Sequence, residues 1–408
     1  MLQSPLHSVE TRSSWVIAVV SLAILSVAFG APWIITVALK EIAAELGGAR
    51  SVPALATFLV WFGTAAGGIL MGMVAERIGV RWTTLIGALS GAAGLALSTG
   101  GSSWQLYVGH GVLIGFFGIG AINAPFYIYI SRWFDRRRGS ALALISSGGY
   151  LAGAIWPPIF ERMIAYAGWR QTMLWFAVIE IVVIVPLALK FLRMPPDMTP
   201  LTRRPAFFTT SQTPVLGWPP NRVFALVCVG VFLCCTTMAM PQGHLVALCS
   251  DLGISATRGA AMLSLLLGTA VICRQVWGLV ADRIGGLRTV LIGSAAQAAA
   301  MTAFIVAQSE LSLFLVSAAF GLGFSGLIPA NVLVVRELFP VSEASWRIPT
   351  LLLCSGTGMG TGVWLAGVLY DSFGYYGPAF AAGVILNALN FIIIAMLVWR
   401  QTVRLAPA

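Results

Sequence analysis

The chain has 408 residues, 58% of them hydrophobic and only 9% charged, and its mean hydropathy of +0.90 lies far outside the range of a soluble globular protein. The formal net charge of +10 comes from 24 Lys and Arg against 14 Asp and Glu. These cations stand in short clusters between apolar runs rather than along one face, which excludes a nucleic-acid surface and points to membrane topology.

Residues 1–13 are polar and are expected to be disordered. Twelve apolar segments follow, each long enough to cross a bilayer as a helix, at roughly 14–37, 54–75, 83–100, 105–130, 139–160, 171–193, 222–249, 258–281, 287–307, 311–335, 347–370 and 376–399. Runs of this length exclude the short alternating strands of a barrel. The first run is too long for a signal-peptide core and is expected to be retained. All six cysteines lie within or at the end of apolar segments without CxxC spacing, so they read as buried hydrophobes with neither disulfide nor metal. Counted loop by loop, 18 Lys and Arg fall on the side of the N-terminus, 5 fall on the other side, and Arg274 remains within a span. That imbalance predicts both termini in the cytoplasm.

The longest polar connection, residues 194–221, divides the chain into halves at 1–193 and 222–408. The halves repeat. Gly72, Glu76, Arg77 and Gly79 match Gly278, Asp282, Arg283 and Gly285 at a constant offset of 206, which also carries Gly115 onto Gly321 and Gly168-Trp169 onto Gly374-Tyr375. Two parallel six-helix repeats would enclose a site at their interface near the bilayer midplane.

Arg274 is the most informative single residue. Between Arg258 and Asp282 it is the only charged side chain, and a guanidinium mid-membrane costs about 2.5 to 3.5 kcal/mol on insertion scales. Either backbone carbonyls or a buried carboxylate hold it, or it faces a cavity and binds an anionic solute, for which its planar fork of donors is suited.

Taken together these features resemble the major facilitator superfamily over nearly the whole chain. The carrying motif is Gly-x-x-x-(Asp/Glu)-Arg-x-Gly-x-Arg, here Gly72, Glu76, Arg77, Gly79 and Arg81, repeated as Gly278, Asp282, Arg283, Gly285 and, one residue late, Arg288. A closer resemblance is to the monocarboxylate and oxalate/formate branch, through Arg132-Trp133-Phe134-Asp135-Arg136-Arg137-Arg138-Gly139-Ser140-Ala141, Asn123-Ala124-Pro125, Arg274 and Pro241-Gln242-Gly243-His244-Leu245. Two departures stand out. Animal members carry a lysine near the position of Trp33 and an aspartate where this chain has Ala270, and the eleventh span lacks the second cation of the oxalate exchangers. A single cation favours a monoanion.

The resemblance implies an all-α membrane protein of two six-helix bundles, in a bacterial inner membrane, that moves a small organic monocarboxylate by alternating access. Protons are a candidate co-solute, the lipid bilayer the other partner, and a monomer the expected state. Arg274 would anchor the anion. Asn123 and Tyr127, one turn apart on the fourth span, are further solute contacts, as are Tyr150 and Ser325. His244, on one face with Thr237 and Pro241, is a gating or proton-coupling candidate, as is Glu180, the only acid deep in a span. No catalytic grouping, metal-ligand set or phosphate loop occurs, so neither an enzyme nor a cofactor is expected. The competing readings are a proton-driven exporter of amphipathic compounds and a transporter-like membrane sensor.

Overall fold

A computed structural model describes residues 10–194 and 214–405; the polar start 1–9, most of the predicted linker (195–213) and residues 406–408 lie outside the described residues. Among those described, the chain is helical throughout, apart from loops and one isolated pairing of Val215 with Trp218. Twelve spans form: α1 (Arg12–Val37), α2 (Ser51–Ile78), α3 (Val80–Ser98), α4 (Ser103–Ser131), α5 (138–167), α6 (169–191), α7 (Pro220–Asp251), α8 (Ala256–Ile284), α9 (Gly286–Val306), α10 (Glu310–Leu338), α11 (Ala344–Phe373) and α12 (Gly377–Leu405).

Several limits differ from the sequence reading. Helix begins at Arg12, inside the stretch expected to be disordered, and many spans overrun their apolar cores because polar ends stay helical beyond the hydrocarbon. α5 and α6 lie in one nearly continuous helical stretch, Arg138–Phe191, interrupted by a turn at Ser147 and a kink at Gly168, instead of two helices with a polar connection. Gly168 sits at φ 79°, a region that L side chains rarely adopt. The same offset places Gly374 at φ 81°, and the α2–α3 and α8–α9 turns use Gly79 at φ 87° and Gly285 at φ 82°. The repeat therefore extends to turn geometry.

Two apolar cores result. One is built from α1–α6 and the other from α7–α12, with Leu39 and Ala54 of the first half joining the second core. The start of α1, the end of α6, the start of α7 and the end of α12 mark one side of the molecule, here the terminal face. Within the first bundle Gly63 and Gly67 of α2 press on the backbone of Gly111 and Phe116, where α4 is underwound into i→i+5 bonding over Val108–Ile119. A Cβ at either glycine would collide with that backbone.

The halves meet along α2–α11 and α5–α8. A Cβ at Gly367 would stand 3.0 Å from Ala54 Cβ, one at Gly360 2.8 Å from Phe58 Cα, and one at Gly356 3.0 Å from Ala65 Cβ. Nearer the terminal face the contact ends, since a Cβ at Gly72 or Gly278 would meet nothing within 4 Å. The interface is thus closed on the opposite face and parted at the terminal face.

A polar lock secures the closed side. Arg50, at the start of α2, gives both guanidinium nitrogens to Asp251 at the end of α7, at 2.6 and 2.7 Å, and Lys40 adds a third bond at 2.9 Å. The Arg50 and Ser51 backbone N–H groups donate to Asp371 of α11 at 2.8 and 2.9 Å, so a carboxylate from one half caps a helix of the other. The Arg50 side chain is only 8% exposed and lies 3.6 Å from the Tyr370 ring centroid. Asp251 keeps 23% of its side chain in solvent, so the pair is part-buried and contributes less than a fully buried one.

An Ala54→Cys, Gly367→Cys chain should crosslink readily under mild oxidation, because a Cβ at 367 would stand 3.0 Å from that of Ala54 and a small shift reaches disulfide spacing. A pair at Gly72 and Thr350, on the parted side, should crosslink poorly. Equal rates at the two positions would contradict the closed face described here.

Candidate functional site

Arg274 lies ten residues from the terminal-face end of α8, about 15 Å along the helix, and is half-buried. Its guanidinium carbon stands 5.1 Å from the ring centroid of Tyr150 on α5, and the charge also reaches Tyr127 on α4. Among the described residues no carboxylate pairs with it. Three predicted residues from three helices of both halves therefore converge at the interface. Tyr150 packs edge-on against Phe324, with ring centroids 5.9 Å apart.

Ser325 follows Phe324 directly; it is fully buried, and its hydroxyl has no partner. Asn123 is half-buried one turn before Tyr127, on the same side of α4. The chemistry available here is that of a cationic fork rimmed by phenol and amide groups, suited to a single carboxylate.

Two candidates lie elsewhere. Glu180 is 2% exposed inside the first bundle, packed against Gly91 of α3, and one of its oxygens has no partner. It is not part of the Arg274 cluster. His244 belongs to the polar lock. Its Nε2 lies 2.8 Å from the carbonyl of Val363, which can only accept, so that nitrogen carries the proton. Its Nδ1 then accepts from the Tyr376 hydroxyl at 2.9 Å, and that hydroxyl accepts from Arg50 at 2.8 Å. Burial holds the Tyr376 hydroxyl above its ordinary pKa, with the Arg50 charge pulling the other way, so it remains a donor.

At the terminal face Glu76, Arg77, Asp282, Arg283 and Arg288 make no ion pair among the described residues. Arg81 bonds the carbonyl of Leu192 at 2.9 Å, tying the α2–α3 turn to the end of α6. In the second half Glu337 accepts from the Gly286 N–H at 3.0 and 3.1 Å, capping α9.

Sequence reasoning missed the lock. Lys40 and Arg50 were counted only for topology, yet the 206-residue offset places Glu45 on Asp251 and Arg170 on Tyr376. Glu45 stays within its own half, pairing with Arg170 and accepting from Trp169 Nε1 at 3.1 Å, whereas Asp251 reaches across to Arg50. The offset could have flagged this acid, but not its partner. Arg347 was also read only as a topology charge. It is fully buried, bonded to Glu343 at 2.7 Å and to Asn221 at 3.2 Å, and it fastens α11 to the start of α7.

The Major Facilitator Superfamily profile matches residues 20–248 and 225–407. Monocarboxylate transporter 13 of Rattus norvegicus is 25% identical over 347 residues, covering 82% of this chain and 76% of its own length. The Agnestins efflux protein AgnL12 of Paecilomyces divaricatus is 25% identical over 339 residues, covering 80% of this chain and 74% of its own. Among solved structures, a bacterial homologue of the human lysosomal transporter Spinster, in an inward-facing and occupied conformation, superposes with a TM-score of 0.72 at 14% identity, over 96% of this chain and 98% of that one. That likeness shows the fold.

Replacing Arg50 by Gln removes the charge that holds Asp251 while keeping a hydrogen-bonding group. In an Arg50→Gln chain a cysteine placed at the buried Thr36 should be alkylated several-fold faster by an impermeant reagent added at the opposite face. An unchanged rate would show that the lock does not hold that face shut.

Proposed function

Because this chain belongs to the Major Facilitator Superfamily and is one of its transporters, we propose that it moves a small organic monocarboxylate by alternating access, with Arg274 as the anion anchor. The observation that carries this reading is a guanidinium within a span, at the interface of the halves, with no carboxylate paired to it among the described residues. Such a charge is costly in a bilayer unless water or an anionic guest reaches it. Tyr127, Tyr150, Asn123 and Ser325 supply the neutral contacts that orient the guest.

In this reading the parted terminal face admits the solute in one state. Release on the other side requires the Arg50–Asp251 and Asp371 contacts to break and the terminal face to close. Glu76 and Asp282 then gain partners across the interface, which their duplicated position at the ends of α2 and α8 suits. Gradients of solute or protons supply the drive, His244 being the titratable group within the lock.

A second reading is export of larger amphipathic compounds, favoured by the similarity to a fungal efflux protein. Uptake in proteoliposomes separates the two. Arg274→Ala should abolish uptake of a monocarboxylate, and Arg274→Lys should recover little, because an ammonium lacks the fork that engages both carboxylate oxygens. If neutral amphipathic compounds are carried equally by wild type and Arg274→Ala, and carboxylates by neither, the export reading replaces the first.

A further inference from the structure

The lock at the opposite face contains one ring nitrogen that it shares with nothing else. His244 of α7 is fully buried, and its neighbours set its tautomer. Nε2 donates to the Val363 carbonyl of α11 at 2.8 Å, so Nδ1 is the bare nitrogen and accepts from the Tyr376 hydroxyl at 2.9 Å. That hydroxyl accepts from Arg50 Nη1 at 2.8 Å, and the same nitrogen donates to Asp251 at 2.6 Å. One directed chain therefore runs from Arg50 of the first half, through Tyr376 and His244, to a helix carbonyl of the second.

Charge in the closed lock is balanced as well. The charged groups that reach His244 are Arg50 from the start of α2, Asp251 from its own helix and Asp371 from α11, and Lys40 joins through Asp251. Tyr370 and Tyr376, whose rings lie 3.6 and 5.3 Å from the Arg50 guanidinium carbon, add uncharged phenols. Two cations thus face two carboxylates, and the closed lock is neutral.

A proton on Nδ1 upsets both arrangements. The ring then presents two N–H donors, and the second meets a hydroxyl whose own hydrogen points at the same nitrogen. Tyr376 must turn that hydrogen away, yet among the described residues its hydroxyl has no bonded partner besides His244 and Arg50. The cluster also gains a third cation, beside a guanidinium only 8% exposed, with no further carboxylate to offset it. In an open face water replaces these partners, and an imidazole there takes up a proton at its ordinary value of about 6.5. The open state binds the proton and the closed state excludes it. The lock is therefore at full strength above about pH 6.5 and weakens as pH falls below it. Solvent is within reach, because the Asp251 and Lys40 side chains are 23% and 39% exposed and His244 lies two helical turns inward of Asp251.

We infer that Nδ1 of His244 is a proton-binding site for which the proton and the lock compete, so that acid at the opposite face releases the gate on that side. The inference rests on the alternating-access reading and deepens it by naming what regulates one gate; it does not depend on the role of Arg274.

The test uses purified full-length protein in nanodiscs without added solute. Donor and acceptor dyes are attached to azide-bearing residues placed at Tyr166 and Gln308, which are exposed at the opposite-face ends of α5 and α9, belong to different halves and take no part in the lock. Single-molecule energy transfer then reads the ratio of open to closed molecules. Between about pH 7.5 and about pH 5.5 that ratio should rise about tenfold in wild type, as uptake of one proton supplies. His244→Gln keeps a donor for Val363 and His244→Asn keeps an acceptor for Tyr376, and in each the ratio should change less than about twofold; either variant that folds suffices. Arg50→Gln should stay open at both pH values and so marks the open signal. A ratio that does not move with pH in wild type, or a tenfold rise that survives in a His244 variant, would overturn the inference. An acid response confined to wild type, together with monocarboxylate uptake that survives Arg274→Ala, would strike the anion anchor and leave the proton-operated gate standing.

Discussion

A guanidinium without a carboxylate, half-buried within a membrane span, is the constraint on which the rest of this structure depends. Its charge would be costly against lipid, and the structure instead turns it toward the interface of the halves, beside the phenol groups of Tyr127 and Tyr150. A cation already paired to a carboxylate would have little left to offer an anion. Arg347 is the contrast within the same chain, fully buried but bonded to Glu343, and its role is to hold helices together. The two arginines differ in depth of burial and in what satisfies them.

Around that site the two bundles are shaped to move as units. Each has its own apolar core, and between them run glycines that allow close backbone approach, at Gly356, Gly360 and Gly367 of α11. Among the described residues, charge-assisted bonds hold the halves at the opposite face, where Asp251 and Asp371 engage Arg50, Lys40 and Ser51 across the interface. Charge-assisted bonds of this kind are strong when made and can be exchanged for water when the face opens. The apolar contacts along α2–α11 are less directional and tolerate rocking. Closure therefore rests on a few residues, and their positions at helix ends keep them within reach of solvent.

Much of the fold could be read from the chain because a bilayer allows few choices. Runs such as 222–249 must be helical, and a shared offset that carries Gly79 onto Gly285 and Gly168 onto Gly374 betrays the repeat, since each of these glycines holds a positive φ that a turn requires. Arg274, Tyr127 and Tyr150 were legible for a related reason, as polar groups stand out against an apolar background. What stayed hidden depends on lateral pairing. Hydropathy says that Lys40, Arg50 and Asp251 lie near one face, not that they touch, and it cannot tell that Glu45 is consumed within its own half. Glu180 is conspicuous in sequence too, and it packs against Gly91 of α3 within the first bundle.

The most direct test of the central claim pairs a change in the protein with a change in the guest. Binding of a monocarboxylate and of its neutral primary amide to the purified protein, in wild type and in Arg274→Ala, isolates the term that belongs to the guanidinium and the carboxylate together. The account predicts that wild type prefers the acid by at least about tenfold, some 1.4 kcal/mol, and that the preference vanishes in the variant. An Arg274→Ala protein that still favours the acid by the same factor would contradict it.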